Sequence, residues 1–196
     1  MNVYIPRFLN NIEEREESFY TCLPQYLSLG YNVVVYWMNF EEIKVSNKNL
    51  TVIKDKQHNA SYARNKLLNI FYNSKEEYCI LSDDDTFLNN KVTPEADCES
   101  YVNDYKKGKI ITKKISSSFL ILKNIRPKIF FDKNLEANQD LDFGTALNKA
   151  GYRTIRNSTE QVEIFRGQSS MFENGADKIY KKQKSLTQIK NKYENI

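Results

Sequence analysis

Tyr78-Cys79-Ile80-Leu81-Ser82-Asp83-Asp84-Asp85-Thr86-Phe87-Leu88 is the stretch on which the reading of this sequence turns. Tyr78 to Leu81 is a short apolar run of strand length. It leads straight into Asp83, Asp84 and Asp85. Adjacent carboxylates repel one another, and burying them unpartnered is costly. Taken alone, the triplet reads equally as an acidic turn after the strand, since Asp is common in turns. At the end of a central strand, three carboxylates otherwise need a positive partner, and a hard divalent cation is the most economical one. Such a cation takes oxygen ligands and bridges to phosphates. Side chains alternate along extended backbone, so Asp83 and Asp85 aim at one point while Asp84 turns away.

Upstream, strand and helix signals alternate. Val3 to Ile5 is a β-rich run closed by Pro6. Glu13 to Leu29 carries Phe19, Leu23, Tyr26 and Leu27 at helical spacing, with Gly30 as a stop signal and Pro24 as an expected kink or break. Asn32 to Met38 is a continuous apolar run, as expected of a central strand covered on both faces. Leu50 to Lys54 is another strand, and Asn59 to Phe71 has one apolar helical face with Asn59 or Ser61 as its cap. This alternation predicts an α/β fold: a central, mostly parallel mixed sheet flanked by helices. In such sheets ligands bind beyond the carboxyl ends of the strands, which is where the Asp triplet falls.

Downstream, Glu95 to Lys107 is polar and reads as a short surface helix. Lys109 to Thr112 and Ser117 to Leu122 read as strands, and Ile129 to Phe131 as a short apolar segment. Asn138 to Tyr152 reads as a helix stopped at Gly151, and Tyr152 to Ile155 as one more strand. From Ala176 the chain is lysine-rich and reads as a C-terminal helix, with Ile179, Tyr180, Leu186, Ile189 and Tyr193 interspersed.

Composition bounds the function. With 196 residues, 40% hydrophobic and 28% charged, the chain suits one globular domain. Its net charge of +4 is compatible with an anionic substrate without demanding nucleic acid. Cys22, Cys79 and Cys98 are odd in number and lack zinc spacing, which argues against a disulfide framework or a structural metal. No segment reaches the ~20 apolar residues of a membrane span and no signal peptide opens the chain, so a cytoplasmic setting is expected. Six glycines form neither a Walker loop nor a dinucleotide fingerprint.

Two further constellations carry chemistry. Arg64, beside Asn65 near the start of its helix, offers a fixed charge and a donor fork suited to phosphate. Asp140 and Asp142 open the later helix, where the helix dipole favours carboxylates. A carboxylate held there also suits a general base for an acceptor hydroxyl. His58 is the single histidine, a possible metal or phosphate contact.

The order of these pieces resembles the GT-A glycosyltransferases, the nucleotide-sugar-dependent enzymes that include the large family-two group. The motifs are Ala63-Arg64-Asn65, the DxD-like Asp83-Asp84-Asp85, Gln139-Asp140-Leu141-Asp142 opening a helix, and Lys149-Ala150-Gly151-Tyr152 closing it. The resemblance spans roughly Val3 to Ile155. It implies a single GT-A domain over residues 1–196, with a nucleotide-sugar half over about 1–90, an acceptor half over about 91–175 and a basic helix over about 176–196. It implies Asp85 and Asp83 as ligands of Mn or Mg, and a donor site made by Pro6, Arg7, Arg64, Asn65, Asp83 and Asp84. Asp140 would be the catalytic base of an inverting transfer from a UDP-sugar, with Asp142 beside it in the acceptor site. The acceptor would be a bacterial surface glycan or, for a bacteriophage enzyme, modified DNA met by the lysine-rich tail. Two departures stand out: Gln139 replaces the usual Glu before the base, and no His follows the acidic motif, leaving Glu163, Gln168, or phosphate and water to complete a metal shell. The alternative class is a metal-dependent nucleotidyltransferase, whose Gly-rich basic loop after the first strand is missing from Pro6-Arg7-Phe8.

Overall fold

The computed structural model describes residues 1–7, 13–38, 42–56, 59–102, 110–111, 118–158, 162–164 and 176–194. The first part alternates as expected: β1 (Asn2–Arg7), α1 (Glu13–Ser28), β2 (Asn32–Trp37), β3 (Leu50–Lys54), α2 (Ala60–Tyr72) and β4 (Tyr78–Ser82). Then follow β5 (Thr86–Leu88), β6 (Cys98–Val102), β7 (Ile110–Ile111), β8 (Phe119–Lys123), α3 (Gln139–Lys149), β9 (Thr154–Ser158), β10 (Val162–Ile164) and α4 (Ala176–Glu194).

An eight-stranded sheet runs in the order β3-β2-β1-β4-β8-β6-β9-β7. The pairs β3·β2, β2·β1, β1·β4 and β6·β9 are parallel. β8 runs antiparallel to both β4 and β6, and β7 runs antiparallel to β9. The sheet is therefore mixed and mostly parallel. β5 and β10 form a separate two-stranded antiparallel sheet that the sequence does not announce.

The continuous apolar runs are explained by a core on each face of the sheet. Val3, Ile5, Val33, Val35, Trp37 and Ile80 join one core, while Tyr4, Val34, Tyr36, Cys79 and Leu81 join the other. α1 covers the first with Phe19, Leu23 and Tyr26; α2 and α3 cover the second with Leu67, Leu68, Phe71, Phe143 and Leu147. α1 is a single helix across Pro24, not split there. Phe19, Leu23 and Tyr26 are each fully buried. At roughly 1.5–3 kcal/mol per buried side chain, they outweigh the ~3 kcal/mol that an interior proline costs. Gly30 (φ +76°) and Gly151 (φ +85°) end α1 and α3 in the left-handed conformation, as read from the sequence.

One expectation fails. The polar stretch from Glu95 forms no surface helix where it is described; it enters the sheet as β6. One of the charged residues that suggested a surface, Glu99, is instead buried and saturated. Its carboxylate accepts from the backbone N–H of Glu95, from that of Ala96 (2.6 Å), from Tyr101 Oη (3.0 Å) and from Asn157 Nδ2 (3.0 Å). Burial raises its pKa, and those donors oppose the rise.

Candidate active site at the carboxyl end of the sheet

β1 and β4 are parallel neighbours with Asn2 opposite Cys79, an offset that carries Arg7 to the level of Asp84. The three aspartates then receive three different environments. Asp83 anchors its backbone N–H on Ser118 O (2.8 Å), and its Oδ1 accepts from Arg64 Nη2 at 2.7 Å. Asp84 has no exposed surface and accepts from Arg7 Nη1 at 2.8 Å. Arg7 in turn lies 5.4 Å from the Phe19 ring and 5.8 Å from the Trp37 ring. Asp85 is partly exposed, with Thr86 Oγ1 at 3.4 Å from its Oδ1. Tyr26 holds the strand end from below: its hydroxyl donates to Thr86 O (2.8 Å) and meets Ser82 Oγ (2.9 Å).

Arg64 joins the pieces. It is buried in the first half of α2, with its guanidinium 5.5 Å from the Phe131 ring. Phe131 stacks on Phe143 of α3 at 4.1 Å, the two rings nearly parallel. Burial works to lower the Arg64 pKa, but the charges of Asp83, Asp140 and Asp84 hold it above its ordinary value. The carboxylates from β4 and the first carboxylate of α3 thus act on one cation.

The other sequence-predicted residues fall as follows. Asn65 spends both ends of its amide on the Phe131 backbone, donating to O and accepting from N, each at 2.8 Å. It holds the segment that supports Arg64. Pro6 is buried in β1 beside Arg7. Asp140 is partly exposed in the first turn of α3. Asp142 is 1% exposed, and both of its oxygens accept from Lys192 Nζ (2.9 and 3.1 Å). Tyr193 Oη adds a bond to Asp142 Oδ1 at 3.0 Å. Burial, then the Asp142 charge, pushes the Tyr193 hydroxyl up to about 12, so it remains a donor at neutral pH. Phe8, His58 and Gln168 lie outside the described residues, and the backbone of Glu163 sits in β10 opposite Phe87.

Sequence reasoning places Lys192 only among the tail lysines and Tyr193 only among the residues of the C-terminal helix, and links neither to Asp142. Ser185 and Ile189, four residues apart, are buried on the face by which α4 packs, and Lys192, three residues on, is exposed along its length but reaches Asp142 with its ammonium; Ile179, Tyr180 and Leu186 are exposed. Among the described residues, no cluster of three or more His, Cys, Asp or Glu side chains forms a metal site.

No family model and no curated protein matches the sequence. Solved structures do. The Staphylococcus aureus TarS fragment 1–349 superposes with a TM-score of 0.60 at 16% identity, over 83% of this chain and 59% of that one. The mannosyltransferase PcManGT of Pyrobaculum calidifontis, in complex with GDP-Man and Mn2+, gives 0.64 at 14% identity, over 100% of this chain and 64% of that one. A Drosophila β1,4-galactosyltransferase 7 mutant, in complex with manganese, UDP-Gal and xylobiose, gives 0.51 at 10% identity, over 91% and 78%. The chain has a GT-A fold. It spans less than two thirds of the length of the first two of these structures. β8 runs antiparallel within an otherwise parallel core, and Ser118 just before it accepts from the backbone N–H of Asp83.

Proposed function

We propose that this chain is a metal-assisted glycosyltransferase that moves a sugar from a UDP-sugar to a hydroxyl of a bacterial surface glycan, with inversion. The observation that carries the reading is the buried Arg64, paired with Asp83 at 2.7 Å and lying over Phe131, which stacks on Phe143 of the helix that Asp140 opens. A fixed cation held by a strand-end carboxylate and tied by packing to a helix whose first turn carries a partly exposed carboxylate suits a reaction that separates a diphosphate leaving group from a hydroxyl nucleophile. The ligands named for PcManGT and for the galactosyltransferase, nucleotide sugars with manganese, support the same reading.

Asp140 accepts the proton of the acceptor hydroxyl. The hydroxyl oxygen bonds to the anomeric carbon as the bond from that carbon to the diphosphate oxygen breaks. Arg64 meets the charge that develops on the departing diphosphate. Asp142 does not share the base role, because Lys192 and Tyr193 occupy its oxygens; it positions the turn that carries Asp140.

The carboxylates present fit a divalent cation. Asp85 is partly open, and Arg64 takes one oxygen of Asp83, leaving Oδ2 to turn toward a metal. Mg and related ions are held in such sites by one or two carboxylates together with substrate phosphates and water, so a third protein ligand is not required. When bound, the cation supplies Lewis-acid stabilisation of the leaving diphosphate. A glycan is favoured over DNA because Lys184 and Lys192 of the basic helix are committed to Glu136, Asp132 and Asp142. The test is thermal stabilisation by UDP- and other nucleotide sugars with and without Mn, repeated on Asp85→Ala. Binding of no nucleotide sugar in either state sinks the proposal.

A further inference from the structure

α4 is joined to the start of α3 by a row of specific bonds rather than by a greasy face. Lys184 pairs with Glu136 (2.9 Å), Ser185 Oγ accepts from the Ala137 N–H (3.1 Å), and Lys182 O accepts from Asn138 Nδ2 (2.9 Å). Lys192 takes both oxygens of Asp142 and also Asp132 Oδ2 (3.0 Å), and Lys149 Nζ donates to Tyr193 O (2.9 Å). All these contacts fall between residues 132 and 149, the segment that presents Asp140.

The start of α3 depends on them in a specific way. Asn138 occupies the N-cap in the left-handed conformation (φ 55°) and makes no side-chain cap bond. That conformation is unfavourable for residues with a Cβ, although Asn tolerates it best. Its side-chain oxygen, the atom that would ordinarily accept a cap bond, makes none, while its Nδ2 donates to Lys182 O of α4. The first turn of α3 is therefore set from outside the helix. Asp132 belongs to the segment that Asn65 and Ser61 tie to α2. One ammonium thus couples the turn bearing Asp140 to the support beneath Arg64.

We infer that Lys192 and Tyr193 are positioning residues for Asp140: they fix the first turn of α3 relative to Arg64 so that the base meets the acceptor hydroxyl. The inference rests on the function proposed above. Asp142 is the handle, two residues beyond Asp140 in the same turn, and the C-terminal helix completes the acceptor side of the site without touching substrate.

The test uses the full chain with Lys192→Met, Lys192→Arg and Tyr193→Phe, measuring donor binding by calorimetry, kcat and acceptor KM for transfer, and amide exchange in the first turn of α3. Lys192→Met is expected to keep donor affinity within about 2-fold and to lower kcat by about 10–100-fold, the range set by sub-ångström to 1 Å misplacement of a reacting group. Lys192→Arg restores most of that loss, and exchange at Asp142, whose N–H donates to Asn138 O (3.1 Å), rises in the Met variant. Should Lys192→Met fail to fold, Tyr193→Phe removes only a hydroxyl and is expected to lower kcat severalfold at unchanged donor affinity. Unchanged kcat in folded Lys192→Met, or in Tyr193→Phe when the Met variant fails to fold, overturns the inference. So does an equal loss of donor affinity and kcat, or unchanged exchange. If wild type transfers no sugar, or Asp140→Asn transfers normally, the proposed function fails; the exchange comparison still reports whether α4 sets the turn.

Discussion

Arg7 and Asp84 pair at 2.8 Å across the ends of β1 and β4, with the aspartate wholly buried and the arginine 7% exposed. The middle carboxylate of the triplet is thus answered by the protein itself, and the repulsion among the three aspartates is divided. One faces Arg64, one faces Arg7, and one stands near the surface. Removing one partner of a buried pair strands a charge, at a cost of about 3–5 kcal/mol. Asp84→Ala should therefore lower the urea midpoint by that equivalent, and Arg7→Met/Asp84→Leu should recover much of it. Equilibrium unfolding measures both. A loss of nucleotide-sugar affinity in Asp84→Ala at an unchanged midpoint would mean that the pair serves the donor rather than the fold.

Asp85 should behave in the opposite way. Its side chain is partly exposed and packs no core, so Asp85→Ala is expected to leave stability within about 0.5 kcal/mol of wild type. The Mn-dependent part of the nucleotide-sugar thermal shift should vanish with it. The same titration on Asp83→Ala separates the two carboxylates, because that change also strips Arg64 of its 2.7 Å partner and should weaken donor binding with and without metal. Persistence of the Mn effect in Asp85→Ala would move the cation elsewhere.

Much of this was legible in the sequence, for reasons the structure makes plain. Strands covered on both faces have to be continuously apolar, so Asn32–Trp37 and Tyr78–Ser82 announce themselves, and the parallel order places their ends together. Asp84 is separated from its neighbours not by strand alternation but by the turn that Asp84 and Asp85 form between β4 and β5. The partners are what sequence hides. Asp142 and Lys192 lie 50 residues apart, and a lysine in a lysine-rich helix carries no local mark that its ammonium meets a buried carboxylate. Asn65 looked like a donor contact from its place next to Arg64, yet it serves a backbone segment 66 residues away. β6 escaped because Glu99 reads as solvent-facing until its donors are known.

Arg64 should resist conservative replacement. Its guanidinium reaches Asp83 and lies over Phe131 while feeling the charge of Asp140. A lysine supplies the charge but neither the flat fork nor the stacking plane. Arg64→Lys is expected to lower kcat/KM by about 10²–10³-fold, the scale of losing one preorganised stabiliser of a leaving group. Steady-state kinetics with a UDP-sugar checks this. A lysine variant within about 3-fold of wild type would reduce Arg64 to a nearby positive charge.

The bonds between α4 and α3 carry a pH signature whose direction is set by their charges. Burial alone would lower the Lys192 pKa, but Asp142 and Asp132 hold it above the ordinary 10.5. A raised lysine pKa contributes stability that is complete below 10.5 and fades as pH climbs through the folded value. Asp132 is displaced the other way, below 3.8, chiefly by the Asn134 backbone N–H and then by Lys192 in opposition to burial. Its contribution is complete above 3.8 and fades as pH falls through the folded value. The difference in melting temperature between wild type and Lys192→Met/Asp142→Asn, which removes the ammonium together with the buried carboxylate it would otherwise strand, should therefore be flat from about pH 5 to about pH 10 and shrink beyond either end. Scanning calorimetry of both proteins across that range measures it. A difference that changes between about pH 6 and 8 would assign the coupling to another titrating group and remove Lys192 from its centre.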